Sequence, residues 1–158
     1  MNIRRLVLLA LALSLPSFTP AATLPQTPAA ELRALHEKVM RAHRQSNVEL
    51  LLEDEAEDNV VANRGEISRP TLKARRERLG AYLKATTFSE YKDSVDPVVS
   101  VSADATQGWV IAQVSARGKQ RTEKGDEVPL QFVSAWIELY EKRGGKWQRT
   151  GNVSNFKP

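Results

Sequence analysis

Two histidines, His36 and His43, stand seven residues apart. That is two helical turns, so both fall on one side of a helix, and either could carry a proton near neutral pH. Zinc-binding helices space their histidines more closely, and no third ligand accompanies this pair; histidines bordering a core are the simpler reading. Five carboxylates crowd residues 53–58 (Glu53, Asp54, Glu55, Glu57 and Asp58). They lack the alternation and the glycine of a calcium loop, so a solvated helix end is expected, facing the basic run Lys73, Arg75, Arg76 and Arg78. That basic run reads in turn as the wet side of a helix. Asn152-Val-Ser154 fits a glycosylation acceptor pattern, which has meaning only in a eukaryotic host. No nucleophile turn, phosphate loop or dinucleotide fingerprint occurs, so no cofactor is expected. The chain contains no cysteine, which excludes a disulfide scaffold, a thiol nucleophile and a Cys-ligated metal.

The elements that must position these residues follow from periodicity. Leu32, Leu35, Val39 and Ala42 recur at steps of three and four and predict a first helix from residue 29. Ser46-Asn47 interrupts it and caps a second helix over 48–58, carrying Leu50, Leu51 and Leu52. A short strand is expected over 59–63. Ser68-Arg-Pro-Thr71 then opens a third helix over 72–83. After Thr87 the period changes to two. Strands are expected over 88–103 (bent at Pro97), 109–117, 130–141 and 146–156, and Gly144-Gly145 marks a tight hairpin. Three helices and an antiparallel meander make an α+β chain, with one domain over 29–158.

Alternation then sorts the two central strands into faces. Val110, Ala112, Val114 and Ala116 form a wholly aliphatic side, as do Val133, Ala135, Ile137 and Leu139. These are expected to point inward beneath the helices, since each buried side chain contributes about 1.5–3 kcal/mol. Trp109, Ile111, Phe132, Trp136, Glu138 and Tyr140 would then point outward, as a face through which two copies associate. On this assignment the two strands place no acid or base inside; with the faces reversed, the same aromatics and Glu138 would line the pocket and an enzyme would be favoured. Pocket polarity would have to come from His36, His43, Tyr82, Arg149, Thr150 and Asn152.

The order helix–helix–strand–helix followed by long strands resembles the nuclear transport factor 2-like superfamily, in particular its SnoaL-like bacterial branch. The residues carrying the likeness are Val60, Val61, Ala62, Asn63, Arg64 and Gly65 before the third helix, and the stretch 135–147 with its Gly144-Gly145 turn, Lys146 and Trp147. The resemblance implies a cone: three N-terminal helices packed on a strongly bent antiparallel sheet, with a pocket at the open end. It also implies dimerisation through the sheet. Members include isomerases, dehydratases and cyclases as well as binding modules without chemistry, so the fold leaves function open.

The N-terminus reads as an address. Arg4 and Arg5 precede ten residues, 6–15, that are apolar apart from Ser14, and small residues follow to Ala22. Ten helical residues rise only about 15 Å, half a bilayer core, so a cleaved secretory signal over 1–22 is expected rather than a membrane anchor. Residues 23–28, with Pro25 and Pro28, read as an extended leader. The whole chain carries +4; removing residues 1–22 takes away Arg4 and Arg5 and leaves about +2, too little to argue for nucleic acid. The expectation is an exported, homodimeric domain that binds a hydrophobic small molecule or a protein without catalysis. The alternative is a cofactor-free lyase or isomerase acting on a hydrophobic small molecule inside the cone.

Overall fold

The computed structural model describes residues 27–157; the expected signal, and the leader up to residue 26, lie outside them. Helix α1 spans Pro28–Arg44, with Thr27 as its N-cap and proline in its first turn. It therefore begins inside the expected leader. Asn47 caps α2, Val48–Leu52, its side-chain oxygen accepting from the Leu50 amide at 3.0 Å. Strand β1, Glu55–Asn63, follows directly. The expected second helix thus ends six residues early, and its acidic end is strand. Strand β2 is Glu66–Ser68, and α3 runs Leu72–Ala85 from a Thr71 cap. The expected bent strand divides at Pro97 into β3, Thr86–Asp93, and β4, Val98–Val101. Long strands β5 (Gln107–Arg121), β6 (Glu127–Arg143) and β7 (Lys146–Lys157) complete the chain. Gly144 and Gly145 take φ of +58° and +80° in the β6–β7 turn, as a two-residue hairpin requires.

The strand order is β2-β1-β7-β6-β5-β3, with β4 also pairing with β5. The sheet is mixed rather than purely antiparallel, because β1 runs parallel to β7. Strands β3 and β4 pair in succession with β5, β3 along residues 114–120 and β4 along 108–111. Gly118 sits where β3 shifts register. A Cβ there would lie 2.1 Å from the Thr87 carbonyl oxygen, a backbone atom with little freedom to withdraw. Gly118→Ala is expected to cost about 1–3 kcal/mol in urea unfolding, the usual cost of forcing volume into a packed site; an unchanged midpoint would refute the close approach.

The inner face of β5 matches expectation: Val110, Ala112, Val114 and Ala116 are buried. The face of β6 is reversed. Ser134, Trp136, Glu138 and Tyr140 are buried, whereas Val133 and Leu139 are exposed. The reason is register. The β5–β6 turn pairs Arg121 with Glu127, so Val110 faces Glu138, Ala112 faces Trp136 and Gly108 faces Tyr140. Side chains opposite one another share a face, and a one-residue slip exchanges the faces. Small residues on β5 leave volume beneath α1 that the large residues of β6 occupy. Met40, Tyr91, Ala112, Val114, Ala116 and Trp136 form one core cluster; Leu32, Val110, Tyr140 and Trp147 form another.

Candidate functional site

The inward face of β6 meets the buried face of α1 at a closed polar cluster. His36 is 2% exposed and Glu138 is fully buried. Nδ1 of His36 lies 3.1 Å from Glu138 Oε1, and Nε2 lies 3.0 Å from Asp93 Oδ1 at the end of β3. Glu138 also accepts from the Trp136 indole N–H at 2.8 Å and from the Tyr140 hydroxyl at 2.9 Å. Burial pushes the Glu138 carboxyl up, but His36, Arg149 and Trp136 outweigh it and hold the group below the usual carboxylate range. Burial likewise pulls His36 down, yet Glu138 and Asp93 raise it above the ordinary imidazole value. Burial holds the Tyr140 hydroxyl well above its usual range, as a neutral donor.

His43, one turn pair along α1, behaves differently. It hydrogen-bonds the Val39 carbonyl at 2.8 Å and stacks on Tyr91 with ring centroids 4.4 Å apart. Burial lowers its pKa to about 4, so it is neutral at pH 7. Tyr82, on α3, meets Phe88 edge-on and is pushed up to about 12 by burial. Thr150 lies where β7 slips by one residue against β6, with Oγ1 3.4 Å from the Leu139 carbonyl oxygen. Asn152 stands opposite Glu138 in the ladder.

A second buried cluster lies beside the first. Glu55 at the start of β1 pairs with Arg75 of α3 at 2.7 Å and with Arg149 of β7 at 3.0 Å. Arg75 is 1% exposed and donates to the carbonyls of Pro70, Glu57 and Ala56 at 2.6, 3.3 and 2.7 Å. These are corrections to the sequence reading, in which Glu55 ended a solvated helix and Arg75 lay on a wet face. All three side chains are shut off from water: that of Glu55 is 5% exposed, that of Arg75 1% and that of Arg149 9%.

Of the residues expected to line a pocket, His36 and Arg149 reach the buried clusters; His43 and Tyr82 belong to the aromatic packing around Phe88 and Tyr91. Of those expected to form an association face, Trp136, Glu138 and Tyr140 are buried, and Phe132 packs against the Met40–Trp136 core. Trp109 and Ile111 remain on the outer side. Sequence reasoning missed Asp93, Glu55 and Arg75. Asp93 carried one legible signal: it shares strand parity with Tyr91, and both turn toward α1.

A cleft of about 10 Å³, scarcely one water, lies among Leu35, Lys38, Val39, Leu50, Leu51, Asp54, Tyr140 and Arg149. An open depression of about 530 Å³ lies between the start of β1 and the β6–β7 hairpin. Its rim charges Arg143 and Asp58 pair at 2.8 Å. Among the described residues no cluster of three or more His, Asp or Glu could hold a metal ion, and no helix is long and apolar enough to cross a membrane.

No family model matches the chain. No curated protein matches it either. Solved structures do. A protein with a cystatin-like fold from Caulobacter vibrioides aligns with a TM-score of 0.63 at 15% identity, covering 82% of this chain and 89% of that one. An NTF2-like protein from Cytophaga hutchinsonii aligns at 0.61 and 14%, covering 78% and 93%. A ketosteroid isomerase-like protein from Erwinia carotovora atroseptica aligns at 0.57 and 15%, covering 82% and 97%.

Proposed function

This chain has the nuclear transport factor 2-like fold, and from that premise we propose that it works as an exported, non-catalytic module that assembles as a homodimer through the outer face of its sheet. One observation carries the reading. Cross-strand partners place Val98, Ile111, Ile137, Val153, Ala62 and Ile67 in a single row across β4, β5, β6, β7, β1 and β2. Val98 is 56% exposed, Ile111 40%, Val153 43% and Ile67 74%. A neighbouring row adds Trp109, Leu139, Gly151 and Val60. An apolar band spanning a whole sheet is a poor solvent surface and a good association surface. A twofold pairing buries the same band on both copies.

The test is native mass at micromolar concentration. Wild-type chain should run at twice the monomer mass, and Ile111→Glu, which sets a charge in the band, should weaken association by roughly 100-fold or more. Wild-type chain that is monomeric there would refute the dimer.

The reading of a cofactor-free lyase or isomerase draws support from one feature, the ionisable groups His36, Glu138 and Asp93 within hydrogen-bond reach inside the cone. Two features weigh against it. Every Glu138 oxygen already accepts from a neighbour, and the cleft nearby has no room for a substrate.

A further inference from the structure

Three donors converge on Glu138: the imidazole of His36, the indole of Trp136 and the hydroxyl of Tyr140. The indole can only donate, and His36 and Arg149 hold the Glu138 carboxyl below the usual carboxylate range, so Glu138 is the anion. The other ring nitrogen of His36 faces a second carboxylate, Asp93. Carboxylates only accept, and a neutral imidazole has a single N–H. Both contacts can be hydrogen bonds only when the ring is the imidazolium. With the proton gone, the remaining N–H stays on the fully buried Glu138, and a bare lone pair meets Asp93.

Asp93 ends β3, which among the described residues is an edge strand paired with β5 alone. Along the seam between α1 and the β3–β4 segment there are two further ties: Arg33 donates to the Pro97 carbonyl at 3.2 Å, and Arg44 to the Tyr91 carbonyl at 3.4 Å. Both are guanidinium contacts that do not change below pH 12. The other groups around His36 are accounted for. On β3 and β6, Tyr91 and Tyr140 are held neutral well above their usual range. On β7, Arg149 stays charged. On α1 itself, His43 is already neutral. From β4 and β5 the core beneath α1 receives the apolar Val99, Val101, Val110, Ala112 and Val114.

The geometry points to a proton-operated latch: protonated His36 holds the end of edge strand β3 against α1, and loss of that one proton opens this seam toward Met40, Tyr91 and Trp136. The sign follows from linkage. A histidine raised in the folded state stabilises fully below its unfolded value near 6.5 and loses that contribution as pH climbs through its folded value.

The experiment pairs wild-type chain with Asp93→Asn. The asparagine can accept from an N–H or donate to a lone pair, so it suits either form of the ring. Wild-type melting temperature should fall by about 5 °C between about pH 6.5 and 9. Over the same interval, amide exchange at residues 90–93, corrected for intrinsic rate, should rise about tenfold. Asp93→Asn should keep part of the melting-temperature fall, because Glu138 still holds the His36 proton, but should show no rise in exchange at residues 90–93. Imidazole nitrogen shifts should report both His36 nitrogens protonated at pH 6.5. An equal rise in exchange at residues 90–93 in wild type and Asp93→Asn, a flat wild-type profile, or a neutral ring at pH 6.5 would each overturn the latch.

Discussion

Glu138→Ala should unfold in urea with about 3–5 kcal/mol less stability than wild type, the loss typical of removing one partner from a buried charge pair. The substitution strands the His36 Nδ1–H, the Trp136 indole N–H and the Tyr140 hydroxyl together, leaving Asp93 as the one partner of the imidazolium among these groups. None of the three can turn to water, because His36, Trp136 and Tyr140 are all at or below 9% exposure. A chain of this size has only about 5–15 kcal/mol in total, so the variant sits near its folding limit at 37 °C. Glu138→Gln separates charge from shape. Its oxygen keeps one or two of the donors, but its amide N–H groups meet the rest, so it should fall between wild type and alanine. The wild-type carboxyl is held low, so its contribution is present above about 4.5 and is lost as pH falls through the folded value. Alanine should erase that acid-side slope. A loss below about 1 kcal/mol, or an unchanged acid limb, would show that the cluster is not anionic at its centre.

Glu55→Ala should be comparably severe, at about 3–5 kcal/mol. Among the described residues this carboxylate is the only counter-charge in ion-pair contact with Arg75 and Arg149, and those two residues are 1% and 7% exposed. Removing it leaves two like charges enclosed between α3, β1 and β7. Arg75 retains its carbonyl acceptors at Pro70, Glu57 and Ala56. Arg149 retains the Leu51 carbonyl at 3.1 Å. The damage should therefore come from charge rather than from unmade hydrogen bonds. Glu55→Gln isolates the point: it preserves volume and an acceptor oxygen, and should recover less than half of the loss. Urea midpoints of the two variants decide it. Equal midpoints for glutamine and wild type would place the stabilisation in packing.

Much of the fold was legible along the chain. The α1 stripe, the Asn47 and Thr71 caps and the Gly144-Gly145 turn are local signals, each satisfied within a few residues of itself. The strand at 55–58 was not. Its acidic composition suits a solvated helix end until Arg75 and Arg149, 20 and 94 residues away, make Glu55 a core residue. Nor was the outer row of Val98, Ile111, Ile137, Val153, Ala62 and Ile67, of which alternation marked only Ile111, because it crosses six strands and each contributes a single residue to it.

By itself the sequence determined that β5 and β6 each carry two faces of opposite character, and that an α+β sheet must bury one of each. Which face of β6 went inside was decided only by the tertiary structure, through the pairing of Arg121 with Glu127 at the β5–β6 turn. Alternation has a period of two and no sign, so a strand cannot say which of its sides is the inside. The sign came from its partner: small Ala112 and Val110 on β5 opened room beneath α1 for Trp136 and Glu138, and His36 and Asp93 supplied the charges that let a carboxylate stay there.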